Sequence, residues 1–384
     1  QAEDGIRDSS TSRGLGDVYK RQFCYFASLM MKKHNFSAGP SILSSEVFDE
    51  ASKSVLNLDN IGLSLIEISH RSKEFVKIME EARELSIGQL GLSKDEYTSL
   101  FLQGGASTQF LMVAYNFLNQ NAGYINTGSW SVKAMKEAKL FGNVHELASS
   151  NDKNFNYIPK DYTVNDDLDY LHITSNNTIF GTQFHEIPET KTDLFTDMSS
   201  DIYSRNIDYS KFSLIYAGAQ KNLGAAGATL VVIRKSMLEK ICREVPSMLN
   251  YKIHVDKDSM FNTPPVFSVY TCLLSLKWLQ KNGGVSEIEK KNILKSTLLY
   301  DEIDRNSQFK GFANVADRSI MNVTFNLTDE SKKEIFDNLA YEANISGING
   351  HRSVGGYRAS IYNAMPIESV ETLIELMKKF ENLA

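Results

Sequence analysis

A lysine at the end of an apolar strand is costly to place. One such residue, Lys221, sits in the run Ser213-Leu-Ile-Tyr-Ala-Gly-Ala-Gln-Lys-Asn-Leu-Gly-Ala-Ala-Gly227. A lone lysine there is ordinarily a surface residue whose stem lies on apolar neighbours while its ammonium reaches water. The flank changes the reading: Gly218, Ala219, Gly224 and Gly227 leave room for a flat molecule beside the amine, and partial desolvation gives the lowered pKa that imine chemistry requires. Twenty-four positions upstream, Asp197 closes another apolar run in Thr196-Asp-Met-Ser-Ser200. Alone, it would be a turn or helix-cap acid. Taken together, the pair fits the arrangement of pyridoxal 5′-phosphate (PLP) enzymes, with an aspartate on the pyridinium nitrogen and a lysine as the Schiff-base residue.

A third component is Gln103-Gly-Gly-Ala-Ser-Thr-Gln109, two glycines between a strand and the helix it feeds. A tight turn with a hydroxyl cap explains it by itself. The functional reading is that free N–H groups at the helix start cup a phosphate, aided by the hydroxyls of Ser107 and Thr108. No Gly-Lys-Ser/Thr follows and the spacing is not G-x-G-x-x-G, so the phosphate would belong to a cofactor held in another way.

Strand ends must position these groups. Apolar runs at 100–102, 124–126, 144–147, 171–174, 194–196, 214–216 and 229–233 read as strands, and helical periodicity begins at residue 72, with Phe75, Ile78, Met79, Ala82 and Leu85 on one face, and recurs at 131–140. Runs apolar on both faces, alternating with helices, predict an α/β domain with a mainly parallel seven-stranded sheet over residues 46–264. Two helices at 266–280 and 286–303 link it to a small α+β domain over 306–384. That domain reads as strand 321–325, helix 331–344, a glycine-rich loop 347–356, strand 358–361 and a last helix opening at Pro366.

Composition narrows the function. The 384 residues are 42% hydrophobic and 23% charged, as in globular proteins, and 41 basic against 47 acidic residues give a charge of −6. No broad positive field exists for nucleic acid or an anionic membrane, so any anion must be gripped locally. Cys24, Cys242 and Cys272 show no paired spacing, which argues against a disulfide framework or a metal site and for the cytoplasm. No run approaches the roughly 18 apolar residues of a membrane span, and the chain reads as soluble. Residues 1–30 lack periodicity, and an ordinary start follows at Met30 or Met31. We expect this stretch to be a foreign or disordered extension ahead of an N-terminal segment, 31–45.

In order along the chain, Asn35-Phe-Ser-Ala-Gly-Pro40, Ile68-Ser-His-Arg-Ser72, Gly104-Gly-Ala-Ser107, Asp197-Met-Ser-Ser200, Ala219-Gln-Lys-Asn222 and His351-Arg352 with Arg358 resemble the motifs of the phosphoserine aminotransferase family, class V aminotransferases of PLP fold type I. The likeness runs from Asn35 to the C-terminus. It implies that Lys221 is the Schiff-base lysine, Asp197 the partner of the ring nitrogen and Trp130 the ring stacked on the cofactor. It further implies that the cofactor phosphate is held by Ala106, Ser107 and Gln220, with Asn262 and Thr263 coming from a second subunit, and that Thr178 approaches the ring hydroxyl. For Asn262-Thr263-Pro264-Pro265, an extended arm is what a residue before proline favours.

Two His-Arg pairs would ordinarily be solvated loop residues. Falling on one family's motifs, they and a further arginine suit a substrate bearing both a phosphate and a carboxylate, which guanidinium groups grip in fork geometry. The resemblance assigns Ser37, His70, Arg71, His351, Arg352 and Arg358 to substrate. It implies a homodimeric enzyme of serine biosynthesis that transaminates 3-phosphohydroxypyruvate with glutamate by ping-pong kinetics, and it allows 4-phosphohydroxythreonine, of pyridoxine biosynthesis, as a second substrate. One departure stands out: the family pattern has proline where this chain has Ala225, so we expect a modest loss of turn rigidity there. The alternatives are an alanine:glyoxylate-type aminotransferase, a cysteine desulfurase, which needs an exposed reactive cysteine, or a non-catalytic PLP-binding protein.

Overall fold

The computed structural model describes residues 33–241 and 243–383. The proposed extension, Cys24, Cys242 and the start at Met30 or Met31 lie outside the described residues. Asn35–Ala384 form one compact unit; of the other, Gln1–His34, only Lys33 and His34 are described.

Seven strands, β1 Tyr97–Leu102, β2 Asn121–Asn126, β3 Asn143–Ser149, β4 Tyr170–Thr174, β5 Leu194–Asp197, β6 Phe212–Gly218 and β7 Thr229–Arg234, form one sheet ordered β1-β7-β6-β5-β4-β2-β3. β7 runs antiparallel to both neighbours, and the pairs from β6 through β3 are parallel. The mainly parallel seven-stranded α/β sheet expected from sequence is thus present. Its central strands are buried throughout, because helices cover both faces. One face packs a core that includes Phe75, Ile215, Leu230 and Leu276, and the other a core that includes Phe110, Tyr170, Phe195 and Tyr216. β3 departs from the expectation of burial on both faces: as an edge strand it has only exposed and half-buried residues.

The helices are α1 Ser45–Leu56, α2 Lys73–Gly88, α3 Gly105–Phe117, α4 Ser129–Ala138, α5 Tyr251–Asp256, α6 Val266–Lys281, α7 Gly284–Arg305, α8 Lys333–Glu342 and α9 Ile367–Leu383. Serine caps start the first two: the Ser44 hydroxyl accepts from Val47 N–H and that of Ser72 from Phe75 N–H. A second, antiparallel sheet orders β8 Phe309–Gly311, β9 Asn322–Leu327 and β10 Tyr357–Ser360. Its core is aromatic, with Phe309 ring centroids 5.4 Å from Phe336 and 5.6 Å from Phe380. The large-sheet core continues through α6 to Ile288, and the small-sheet core takes in Leu299 and Ile303 of α7 as well as Phe36 and Ile42; the boundaries at 264 and 305 stand as our proposal. Of the elements labelled here, α1, α5 and β8 are not predicted from the sequence. After β7 the chain makes a 3₁₀ helix, Lys235–Lys240.

Candidate active site

Asp197 ends β5, in register with Thr174 of β4 and Tyr216 of β6. It therefore stands at the carboxyl ends of parallel strands, where open α/β sheets bind ligands. The side chain is buried, and Oδ1 accepts the Ser199 N–H at 2.9 Å. The Ser199 hydroxyl accepts the Gly218 N–H at 3.0 Å, tying the acid to the end of β6, from which the chain turns into Lys221. Burial raises the Asp197 pKa, opposed first by the Lys221 charge and then by the Ser199 hydrogen bonds.

Lys221 keeps some accessible surface, as an amine that must be reached requires, yet protein packed around Nζ lowers its pKa to about 8. Burial is the main cause; Asp197 pulls the value up and Arg358 pushes it down. On the order of a tenth of this amine is consequently neutral at pH 7, the state a nucleophile or base needs, far more than for an ordinary lysine. Its turn is clamped from both sides. Ser41 donates its N–H to Gln220 O at 2.9 Å and its hydroxyl to Lys221 O at 2.7 Å. Asn222 donates to Ser200 O and Ile202 O and accepts the Asn363 N–H at 3.0 Å. Gly39 comes so close that a Cβ there would lie 3.3 Å from Lys221 Cγ, at a φ of +145° that favours glycine.

The Trp130 ring centroid lies 5.8 Å from Lys221 Nζ, and its indole N–H donates to Thr178 Oγ1 at 3.1 Å. Thr178 in turn offers its carbonyl to Arg358 Nη1 at 2.9 Å, so Trp130, Thr178, Arg358 and Lys221 form one constellation. At the start of α3, Gly104 has φ +95°, and a Cβ there would strike Thr108, whose hydroxyl donates to Gly104 O at 3.0 Å. Beyond it Gly105, Ala106 and Ser107 are at least partly accessible, and a Cβ on Gly105 would meet nothing within 4 Å. This open helix start can take a phosphate. The Gln220 side chain folds over Gly218, whose Cβ would meet its Oε1 at 2.6 Å.

A half-buried lysine whose amine has a lowered pKa, a buried carboxylate that attracts it, an indole beside it and an open helix N-terminus together fit PLP. Arg358 is ready for a carboxylate: its Nε is buried without a hydrogen-bond partner, and burial pulls its pKa down. His351 shares a hydrogen bond with Ser353 Oγ at 2.7 Å. Its pKa is lowered by burial first, then by the charges of Arg358, Arg352 and Lys133, which puts that loop beside the same constellation. Ser37 packs on Gly347, whose Cβ would meet the Ser37 backbone and hydroxyl.

His70 and Arg71 sit just before α2, and no contact among the described residues joins them to Lys221; His70 Nε2 is buried and unpartnered. Asn262 and Thr263 lean on Gln103 of their own chain, with Asn262 Nδ2 2.9 Å from Gln103 Oε1 and Gln103 Nε2 2.6 Å from Thr263 O. Ser41, Asn222 and Lys133 are the participants missing from the sequence reading. Asn222 lies inside a motif already noted, and Lys133 follows Trp130 by three, on the same helix face. Ala225 has a consequence of its own: its N–H donates to Thr271 Oγ1 at 3.0 Å, a bond proline could not make. Cys272 is buried, which pushes its thiol pKa up and leaves it a poor sulfur nucleophile.

This fold and constellation define a class. Residues 33–373 match Aminotransferase class-V, and the chain belongs to that family of PLP-dependent enzymes. Within it, the chain is 58% identical over 354 residues to the phosphoserine aminotransferase of Flavobacterium johnsoniae, covering 92% of this chain and 99% of that one. The structure of phosphoserine aminotransferase from Bacillus circulans subsp. alkalophilus superposes with a TM-score of 0.89 at 42% identity, covering 92% of this chain and 99% of that one. The PLP-bound phosphoserine aminotransferase of Trichomonas vaginalis gives a TM-score of 0.86 at 34% identity, over 90% of this chain and all of that one. The chain thus groups with the phosphoserine aminotransferases. Among the described residues, no helix is long and apolar enough to cross a membrane.

Proposed function

We propose that this chain catalyses the reversible transfer of an amino group between glutamate and 3-phosphohydroxypyruvate, giving O-phospho-L-serine and 2-oxoglutarate, in the serine branch of cytoplasmic amino-acid biosynthesis. The observation that carries this reading is the Lys221 amine of lowered pKa, acted on by the opposing charges of the Asp197 carboxylate and the Arg358 guanidinium and 5.8 Å from the Trp130 ring centroid. When bound, PLP supplies an electron-accepting ring that stabilises negative charge at the substrate Cα. The chain does the rest. Lys221 Nζ would hold the cofactor and, when free, take the proton from the substrate Cα. Asp197 would keep the cofactor's ring nitrogen protonated. Trp130 would shield the cofactor from water, while Ala106, Ser107 and Gln220 would hold its phosphate and Thr178 its ring hydroxyl. Arg358 orients the α-carboxylate, and His351, Arg352, His70 and Arg71, with Ser37, receive the distal phosphate or carboxylate.

The active enzyme in this reading is a homodimer in which Asn262 and Thr263 of one copy complete the phosphate site of the other. Initial rates with glutamate and 3-phosphohydroxypyruvate test the reading. Parallel double-reciprocal lines are expected; a protein that binds PLP and fails to turn over this pair would overturn it.

A further inference from the structure

Lys133 lies one turn along α4 from Trp130, and its ammonium sits 4.4 Å from the indole centroid. The ring thus has two lysines near it: Lys221, 5.8 Å away beside Asp197, and Lys133. No carboxylate among the described residues pairs with Lys133, although surface lysines elsewhere in this chain find acids, as Lys94 finds Glu84 and Lys277 finds Glu81. Its charge reaches His351, together with those of Arg352 and Arg358. Three cationic side chains therefore act on one imidazole. Like charges gathered in this way repel one another, and an anion seated among them relieves that repulsion.

Resting on the function proposed above, we propose that Lys133 is a specificity-determining substrate ligand, whose ammonium meets the phosphate of the phosphorylated substrate and favours it over the distal carboxylate of glutamate. The phosphate carries about −1.5 to −2 charges near pH 7, so a compact point charge there attracts it more than a single carboxylate. The indole holds the ammonium itself, 4.4 Å from the ring centroid, so it stands beside the Trp130 ring without a salt bridge to break first.

Lys133→Met keeps an apolar stem over Trp130 and removes the charge; Lys133→Arg restores it. For Lys133→Met we expect KM for 3-phosphohydroxypyruvate to rise about tenfold, KM for glutamate less than about threefold, and kcat to stay within about twofold, with Lys133→Arg recovering most of the loss. Calorimetry with 3-phosphoglycerate, which has the phosphate and carboxylate but neither amino nor oxo group, should show the same loss without turnover. Equal KM increases for both substrates, or a fall in kcat alone, would overturn the assignment and make Lys133 a cover for the indole. Absence of wild-type turnover would overturn the function, and this inference with it.

Discussion

Among the described residues, two lysines have depressed pKa values, and they do different things. Lys221, in the turn after β6, is shifted to about 8; Lys295, in the middle of α7, is shifted to about 7. By that measure Lys295 is the more perturbed. Burial is the leading cause at both. What separates them is what the amine touches. Lys295 is 2% exposed and donates to Ile361 O at 3.0 Å and Tyr362 O at 2.7 Å. It tethers α7 to the chain just after β10. Lys221 keeps access to solvent, has a carboxylate within electrostatic reach and faces an indole. A shifted pKa marks both a structural tether and a candidate catalytic amine, and access with a paired acid distinguishes them.

The two lysines can be pushed apart by experiment. Lys221→Ala should lower kcat by at least about 10³-fold and abolish the visible band of bound PLP, since the residue is nucleophile and base at once; steady-state rates and absorbance check this. Asp197→Asn should leave the cofactor attached and cost about 10²-fold or more in kcat, because a neutral amide cannot hold the ring nitrogen protonated. Lys295→Met should do the reverse of both. It strands two carbonyls and costs about 1–3 kcal/mol of stability by denaturant unfolding, with kcat changed only a few-fold.

The pH dependence sharpens the contrast further. Between about 7 and the ordinary lysine value, Lys295 is neutral when folded and protonated when unfolded. The unfolded chain then binds the extra proton, so the stability of the wild type relative to Lys295→Met should rise with pH across that window. A flat difference would mean that Lys295 stays charged. In the apoenzyme, the rate of PLP capture by Lys221 should climb through about pH 8 as its amine becomes neutral. The smallest effect is expected beside Lys221: Ala225→Pro removes the N–H bonded to Thr271 while stiffening the turn. It should destabilise by no more than about 1 kcal/mol and leave kcat unaltered.

Much of this was legible in the sequence, and the reasons are specific. The buried strands announce themselves because burial on both faces forces continuous apolar runs such as those of β4 and β6. Lys221 and Asp197 stand out because charged residues interrupt that pattern at strand ends. β8 is only three residues long, and α5 only six, too short for periodicity to build up. The 3₁₀ turn at Lys235–Lys240 has helical composition but lies where β7 ends. Lys295 was invisible because it occupies a long amphipathic helix in which a lysine reads as solvent-facing. Its partners are backbone carbonyls 66 and 67 positions away. Lys133 was hidden likewise, since its relation to His351 exists only once the glycine-rich loop folds back over α4.

Reduction of the PLP-loaded protein with borohydride, followed by proteolysis and mass spectrometry, asks which lysine holds the cofactor. The account predicts a phosphopyridoxyl group on the peptide carrying Lys221 and none on that carrying Lys295. Label on Lys295, or on any lysine other than Lys221, would contradict it.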